Sequence, residues 1–392
     1  MSFRVNGRFV ADPHTSYERL RQEAPVCPAR FHGGLDAWLV TRYADAKALL
    51  NDRRLSKDVT RGLPLFPPGS EGAHSSPLAK HMLHSDPPDH TRLRRLVNKA
   101  FTPRTVARLR PRIERIVDRL LDGMSGTVDM IESFALPIPI AVICELLGVP
   151  EEDRLEFQEW SHRLAGEGTV EQIAEASDKM GAYLAGMVRA KRERPREDLV
   201  SDLIQVSDGG DQLSERELLN MAFLLLVAGF ETTANLLGTG VKGLLENPEQ
   251  QAALRADPSL LPAAVEEFLR FEAPIHMATL RFTTEPVRIG DVEIPANQIV
   301  MISLLSANRD GDRFEDPDRL DICRSGDPHL AFGYGIHHCL GAPLARLEGE
   351  VAFGRLLARF PLLTPAWEPE SLVWKRSTLS RGLSSLPVRI GP

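Results

Sequence analysis

Helical spacing of apolar residues dominates the middle of the chain. Apolar positions three and four residues apart, bounded by Gly and Pro, predict helices over residues 104–124, 133–147, 151–164, 170–192 and 214–246. Nearer the N-terminus, the pattern predicts a helix over residues 16–23, a strand over residues 37–41 and a helix over residues 43–50. We therefore expect a small mixed lobe beside a largely helical body.

The apolar period changes from helical to alternating after Pro274. Residues 279–283, 287–289 and 292–294 alternate, and the pair Gly290-Asp291 between the last two predicts a β-hairpin. Residues 386–390 read as a further short strand. Residues 57–88 are rich in Pro, Gly, Ser and His, a long loop that is either functional or a disordered surface segment. The fold class expected is mainly α with small β-sheets.

Composition narrows the functional classes. The 392 residues are 43% hydrophobic, enough for a large core, and length alone allows two or three domains. The net charge of −7 argues against a polycationic nucleic-acid surface, although local basic patches remain possible. Four scattered cysteines suit a reducing cytosol without disulfides. The longest apolar run, residues 221–230, is about half of the ~20 residues that span a bilayer, so we expect a soluble, cytoplasmic protein.

One stretch near the C-terminus carries unusual chemistry. Cys339 lies between the glycines of Phe332-Gly333-Tyr334-Gly335 and a helix that begins after Gly341. The N–H groups and dipole of a helix N-terminus favour an anion, so we expect a thiolate here, acting as a metal ligand. The three glycines allow the backbone to turn sharply beside a large flat group such as a haem face.

Other interpretations of this stretch fit the sequence less well. A free cysteine is more often a small buried hydrophobe than a ligand. The glycines do not form a dinucleotide fingerprint, because His338 stands at the sixth position and no acidic residue follows at the expected distance. Zinc is disfavoured because His337-His338-Cys339 lacks paired ligand spacing.

A second unusual stretch lies in the longest predicted helix. The segment Ala228-Gly229-Phe230-Glu231-Thr232-Thr233 places Gly, which costs about 1 kcal/mol relative to Ala, and two poor helix formers in mid-helix. An acid beside an alcohol can relay protons, and small residues allow a flat cofactor to approach. The alternative is a helix-packing contact through small residues.

Charged residues form two further patterns. His90 and Arg94 share one face of a helix for which Asp89 is the expected N-cap, and together they can reach an anion. Glu267 and Arg270 lie three apart on a largely apolar helix, which indicates a buried ion pair rather than a weak surface pair. On spacing alone, neither pattern identifies a function.

These motifs, in this order, resemble those of the cytochrome P450 monooxygenases over essentially the whole chain. The resemblance implies one large domain over residues 1–392, with haem b between the oxygen-activation helix and the cysteine-loop helix. It makes Cys339 the axial thiolate and the metal ligand. It implies further cofactor contacts at Phe332, Gly333, Gly341 and Ala228, and haem-propionate contacts at His90, Arg94, Arg281 and His337.

The resemblance also assigns catalytic and structural roles. Glu231 and Thr232 would deliver protons to dioxygen bound at iron. Glu267 and Arg270, completed by Arg319 in Pro317-Asp318-Arg319-Leu320, would hold the underside of the cysteine loop, and Asn308-Arg309-Asp310 would form a structural turn. Leu320 stands where the family commonly has Phe.

The implied reaction inserts one oxygen atom of O2 into a C–H or C=C bond of a hydrophobic natural product, such as a macrolide or other polyketide, a terpenoid or a steroid. The long loop would cap the substrate pocket. The pocket candidates come from four segments: Leu83, His84, Leu226, Ala228, Gly229, Ile275, Met277, Ala278, Thr378 and Leu379.

Electrons would come from NAD(P)H through a ferredoxin reductase and a ferredoxin, because no flavin or nicotinamide motif is fused to the chain. We expect the ferredoxin to dock on the cysteine face near Arg92, Arg95 and Arg346 of a monomer. Two alternatives are a peroxide-driven haem-thiolate peroxygenase, which typically lacks the acid–alcohol pair, and a haem protein that binds a ligand without turnover.

Overall fold

The computed structural model describes residues 2–31, 34–67, 78, 80–164, 170–207, 209–324, 328–368 and 371–391. Helices make up most of this part of the chain. They are α1 (Gly7–Ala11), α2 (His14–Glu23), α3 (Tyr43–Leu50), α4 (Val59–Gly62), α5 (Asp89–Ala100), α6 (Pro103–Ala107), α7 (Arg110–Asp122), α8 (Pro137–Leu147), α9 (Arg154–Leu164), α10 (Val170–Glu193), α11 (Leu199–Gln205), α12 (Glu215–Glu246), α13 (Pro248–Ala256), α14 (Leu261–Phe271), α15 (Leu304–Ala307) and α16 (Ala342–Arg359).

The strands form small sheets. They are β1 (Phe3–Arg4), β2 (Val26–Arg30), β3 (Asp36–Val40), β4 (Leu55–Ser56), β5 (Gly126–Asp129), β6 (Arg281–Thr283), β7 (Val287–Ile289), β8 (Val292–Ile294), β9 (Ile299–Ile302), β10 (Leu362–Pro365) and β11 (Pro387–Gly391). The strand orders are β1-β2-β3-β9-β6-β4, β10-β11-β5 and β7-β8.

The six-stranded sheet brings distant segments to one edge. β4 pairs antiparallel with β6, with Ser56 opposite Phe282, and β6 pairs antiparallel with β9. Lys57 therefore follows directly on a strand that lies beside Arg281. This register places two basic residues, far apart in sequence, in the same region of the fold.

Helix α12 forms the centre of the core. A capping box begins it: the Ser214 hydroxyl accepts the Glu217 N–H at 3.3 Å, and the Glu217 carboxylate accepts the Ser214 N–H at 2.8 Å. The helix packs against α8, α10, α14 and α16. Within the described residues it is the one helix long and apolar enough to cross a membrane. However, 61% of its most apolar 18-residue segment is buried inside the protein, as expected for a core helix.

Several predicted elements are confirmed. Helix α3 has the predicted bounds, α12 ends at the predicted residue, and β7 and β8 form the predicted hairpin around Gly290, whose φ is 54°. Part of the predicted long loop, residues 68–77 and 79, lies outside the described residues. The rest of it is not all irregular, since α4 and two 3₁₀ turns, Leu63–Leu65 and Met82–His84, lie there.

Other predictions were wrong in detail. The predicted helix over residues 104–124 is two helices, α6 and α7, because Pro111 has no N–H to offer the Ala107 carbonyl and the helix is interrupted just before it. The segment over residues 133–147 divides into a π-helical turn, Ile131–Ala135, and α8. Asp89 occupies the first turn of α5 rather than the N-cap, which is Pro88. The predicted strand over residues 279–283 is shorter, since only residues 281–283 form β6. Strands β1, β2, β4, β5, β9 and β10 were not predicted.

Candidate active site

The loop before α16 presents Cys339 on a tightly turned backbone. The Cys339 N–H donates to the Phe332 carbonyl at 2.9 Å, and the Gly333 N–H donates to the Leu330 carbonyl at 2.8 Å. Gly333 and Gly335 have φ values of 71° and 78°, which favour glycine. Gly341 differs, because its φ of −78° is accessible to any residue, so the turn at residues 340–341 does not require glycine.

Two opposing effects act on the Cys339 thiol. Its sulfur accepts hydrogen bonds from the Gly341 and Ala342 N–H groups at the start of α16, as the sequence predicted. Although Cys339 is solvent-accessible, desolvation by the surrounding protein has the larger effect and raises the pKa of the thiol; those hydrogen bonds and the charges of Arg94 and Arg346 only partly offset it. The helix N-terminus thus favours the thiolate, as expected, but its effect is the smaller one. A coordinated metal cation would supply the missing positive charge.

A cluster of basic side chains lies beside the cysteine loop. The rings of His90 and His337 are 4.2 Å apart, and Arg281 is 4% exposed. Burial is the largest effect on each: it lowers the pKa of His337 to about 2 and that of Arg281 to about 10, and it also lowers the pKa values of His90 and Arg94. The structure therefore brings the four predicted propionate contacts together.

Lys57 belongs to the same cluster, and sequence reasoning missed it. Its ammonium group donates to the Thr279 hydroxyl and, at 3.0 Å, to the Leu280 carbonyl. Burial and then the Arg281 charge lower its pKa well below the usual value, against the opposing charge of Asp86. Lys57 lies at the start of a segment without apolar periodicity, and only the β4–β6 pairing reveals its neighbours.

The cluster fits a dianionic group. Among the described residues, Asp86 is the one carboxylate whose negative charge raises the pKa values of Lys57, His90 and Arg281. The His90 Nδ1 and Arg281 Nε atoms are buried and have no hydrogen-bond partner. Buried polar groups are rarely left unpaired, so these atoms indicate an anionic ligand. The two propionates of a haem seated on Cys339 have the charge that this cluster lacks.

Helix α12 carries the predicted acid and alcohol. The Thr232 hydroxyl donates to the Ala228 carbonyl at 2.8 Å, and the Glu231 carboxylate accepts from the Ser380 hydroxyl at 2.9 Å. The two side chains are thus neighbours in sequence, but each bonds elsewhere. Ala228 is exposed although it lies in a core helix, so α12 faces an open interior space at this point.

A buried ion pair braces the segment between α14 and the cysteine loop. Arg270 binds Glu267 through two hydrogen bonds of 2.7 and 2.8 Å, and both side chains are 2% exposed. The second guanidinium on Glu267 is that of Arg324, at 3.3 Å. Arg319 was predicted for this position wrongly: its side chain is exposed, and only its backbone carbonyl accepts from Arg270, at 3.1 Å.

The predicted turn at residues 308–310 is also structural. The Asn308 side-chain oxygen accepts the Leu330 N–H at 2.6 Å, and the Asp310 carboxylate accepts the Tyr43 N–H at 2.8 Å. Arg309 donates to the Phe271 carbonyl and to Asp318. These contacts tie the start of the cysteine loop to α3 and α14.

Comparison with known proteins agrees with this geometry. The family model described as "Cytochrome P450" matches residues 165–381. Cytochrome P450 107B1 of Saccharopolyspora erythraea is 52% identical over 98% of this chain and 96% of its own length. The chain belongs to the cytochrome P450 family. Vitamin D(3) 25-hydroxylase of Pseudonocardia autotrophica is 48% identical over 99% of this chain and 96% of its own length. The solved structure of the Bacillus subtilis bacillaene polyketide synthase cytochrome P450 PksS superposes with a TM-score of 0.92 at 41% identity, covering 99% of each chain.

This P450 is therefore a haem-thiolate monooxygenase that uses dioxygen, a small-molecule substrate and electrons derived from NAD(P)H through partner proteins. The mainly α fold with small sheets is that of the family, as predicted. The Cys339 thiol, the basic side chains beside it and their unpaired buried nitrogen atoms suit a haem with its two propionates.

The predicted pocket residues of this P450 differ widely in exposure. Leu226 and Met277 are fully buried in the hydrophobic core, so they have no surface with which to line a pocket in this conformation. Leu379 is 40% exposed. Ala278 is buried, at 8% exposure. The remaining candidates are partly exposed: Leu83, His84, Gly229, Ile275 and Thr378.

Arg92 and Arg346, both predicted to receive a redox partner, are paired with carboxylates of this chain. Arg92 lies 3.3 Å from Asp211 and 3.0 Å from Glu217, and Arg346 binds Glu266 through hydrogen bonds of 2.6 and 2.8 Å. Their charge is therefore largely neutralised. A groove of about 370 Å³ nevertheless opens on this face. Its lining includes Arg94, Asn98, Phe101, His338, Cys339 and Arg346.

Proposed function

We propose that this P450 hydroxylates or epoxidises a hydrophobic polyketide, macrolide or steroid-like compound, with Cys339 as the axial ligand of its haem. The observation that carries the assignment of the site is the cluster of basic side chains beside Cys339, with its unpaired buried atoms. The names of relatives that act in polyketide biosynthesis and on vitamin D(3) support the substrate class.

Each residue at the site would have a separate task toward the haem. Lys57, His90, Arg94, Arg281 and His337 would hold the propionates, since charge-assisted hydrogen bonds to carboxylates are the strong ones. The cofactor would lie between the loop residues Phe332, Gly333 and Gly341 and the exposed part of α12 at Ala228. When bound, the haem supplies the dioxygen chemistry, and the protein supplies position, protons and exclusion of water.

Glu231 and Thr232 would deliver protons in the reaction. The Thr232 hydroxyl is oriented by the Ala228 carbonyl, and the Glu231 carboxylate by the Ser380 hydroxyl. A side chain that transfers a proton must lie within hydrogen-bond reach of its acceptor, directly or through one water. Glu231 would take up a proton from the solvent side, and the Thr232 oxygen would hold the last position before the reacting oxygen.

We also propose a ferredoxin as the electron donor, in the cytoplasm, docking over the groove beside Cys339. The exposed Arg104 of α6 follows Pro103, which lines the groove, and offers positive charge to an acidic partner. The variant Arg104→Glu should slow reduction by ferredoxin at low salt and leave substrate affinity unchanged. Arg288→Glu, on the β7–β8 hairpin, is the control. Equal reduction rates in all these proteins would contradict the docking site.

The substrate class can be tested by an absorption titration of the ferric protein with macrolides, other polyketides, terpenoids and steroids. A compound that displaces water from iron shifts the Soret band from low-spin to high-spin. We expect such a shift with polyketides or steroids. If no compound shifts the Soret band of a protein that has a thiolate-type spectrum, the proposed substrate class is wrong and the enzyme class still holds.

A further inference from the structure

The Glu231 carboxylate is held from outside its own helix. Ser380 lies 149 residues away in the chain and donates its hydroxyl hydrogen to Glu231 Oε1 across 2.9 Å. Ser380 is 8% exposed, so little water competes for this bond. Thr232, the neighbour of Glu231, bonds to the Ala228 carbonyl instead. The direction in which the acid points is therefore set by the C-terminal segment.

That segment is fixed against residues 274–276, which include a predicted substrate contact. The Leu379 carbonyl accepts the His276 N–H at 2.7 Å, and Ile275 and Ser380 form an isolated β-bridge. His276 is completely buried, and its Nε2 lies 2.5 Å from the hydroxyl of Tyr17. Ser380 is thus part of the same unit as the predicted substrate contacts at Ile275 and Leu379.

The residue after Ser380 anchors the segment from the other side. The Arg381 N–H donates to the Pro274 carbonyl at 2.8 Å, and the Arg381 guanidinium binds Glu272 at 2.8 Å and covers the Trp374 ring at 3.4 Å. Arg381 is 4% exposed. With both neighbours held, the Ser380 hydroxyl has a defined position rather than that of a mobile loop.

Close packing of the next residue keeps the segment against α12. A Cβ at Gly382 would lie 1.9 Å from the Asn235 Oδ1 atom, and Asn235 is one helical turn after Glu231. Only glycine therefore allows residues 380–382 to lie this near to the helix face that carries the acid. The Asn235 Nδ2 atom is buried and has no hydrogen-bond partner. An unused hydrogen-bond donor therefore lies one helical turn from Glu231.

We propose that Ser380 is a positioning residue for Glu231, and that the substrate-facing segment at residues 377–381 thereby sets where the proton-delivering carboxylate points. The inference rests on the role proposed above for Glu231. Contact between a substrate and Leu379 would act on the adjacent Ser380 and so on the acid. Substrate binding and proton delivery would then share one short segment of backbone.

A double-mutant cycle tests the hydrogen bond without any substrate. In urea unfolding of the ferric, haem-loaded protein, Ser380→Ala should lower the folding equilibrium constant by about tenfold or more, the loss expected for a hydrogen bond to a charged group. The same change in a Glu231→Ala background should have almost no effect, and Ser380→Thr should retain the wild-type value. Ser384→Ala, an exposed serine of the same C-terminal region, is the control. Equal effects of Ser380→Ala in both backgrounds would overturn the proposal.

The functional readout is the share of NADPH electrons that ends in hydrogen peroxide, measured with a plant-type ferredoxin and its reductase. Ser380→Ala and Glu231→Ala should both raise this share severalfold, the double variant should match Glu231→Ala, and Ser380→Thr should restore the wild-type share. A raised share in Glu231→Ala but not in Ser380→Ala would overturn the positioning role alone. A wild-type share in Glu231→Ala would instead refute the proposed role of Glu231, and the positioning role with it.

Discussion

Glu267 is held by two guanidinium groups that come from different parts of the chain. Arg270 is on the same helix, whereas Arg324 reaches it from the segment before the cysteine loop. Arg324 also donates to the backbone carbonyls of Glu315, Asp316 and Arg319. One side chain thus closes this segment onto α14.

Removal of Arg324 should therefore cost stability where removal of Arg319 does not. We expect Arg324→Ala to lower the free energy of unfolding by about 1.5–3 kcal/mol, the range for hydrogen bonds to charged groups. Arg319→Ala should change it by less than about 0.5 kcal/mol, because that side chain is exposed and its backbone carbonyl remains. Chemical denaturation of both variants measures the difference. A larger loss for Arg319→Ala would contradict the assignment.

The residues of the site show what the sequence could and could not predict. The sequence predicted roles for Cys339, Glu231 and the Glu267–Arg270 pair because each belongs to a motif of neighbouring residues. Arg324, Lys57 and Ser380 were missed because each acquires its role through contacts with segments distant in sequence, such as the 149 residues between Ser380 and Glu231. No periodicity or short motif encodes such contacts.

At the scale of elements, α12 and α16 approach each other closely at Gly240. A Cβ at this position would lie 2.4 Å from the Phe353 ring of α16 and 3.2 Å from Phe268 of α14. In α10, by contrast, a Cβ at Gly186 would meet nothing within 4 Å. The two glycines are both in helices, but only Gly240 is required by packing.

Alanine at these two positions should therefore have effects of opposite sign. Gly186→Ala should stabilise the protein by up to about 1 kcal/mol through helix propensity. Gly240→Ala should destabilise it by about 1–3 kcal/mol, because overpacking outweighs the same gain in propensity. Thermal or urea unfolding measures both. Stabilisation by Gly240→Ala would show that α12 and α16 are farther apart than described.

Helices α14 and α16 are also joined by a titratable contact. Burial, the largest single effect, raises the pKa of Glu266, but the hydrogen bonds and charges of Arg346 and His329 outweigh it and lower the pKa to about 2. A carboxyl whose pKa is lower in the folded than in the unfolded state stabilises the fold above its unfolded value, 4.5. That contribution is lost as the pH falls from 4.5 towards 2.

Glu266→Gln should therefore make the free energy of unfolding fall less steeply as the pH drops below 4.5. The side chains of Glu266 and Arg346 are 41% and 38% exposed, so solvent screens the interaction and the effect should be modest. Urea midpoints measured as the pH is lowered through 4.5 test this expectation. Parallel acid limbs for the wild type and Glu266→Gln would show that the contact contributes no stability.

At the scale of the whole molecule, the class of fold followed from the sequence better than its details. Helical periodicity predicted a mainly α protein, and the hairpin was placed correctly. Four strands of the six-stranded sheet were missed: β1 and β4 have only two residues each, β9 is apolar and buried throughout and so does not alternate, and β2 contains a proline. Organisation as one domain over residues 1–392 stays a prediction.

The central claim is that Cys339 is the axial ligand, and the reduced carbon monoxide complex tests it most directly. A thiolate ligand gives a strongly red-shifted Soret band, and imidazole ligation gives a band at shorter wavelength. We predict the thiolate-type band in the wild type and in Cys323→Ser, a change at another exposed cysteine, and its loss in Cys339→His. A thiolate-type band that survives in Cys339→His would contradict the account.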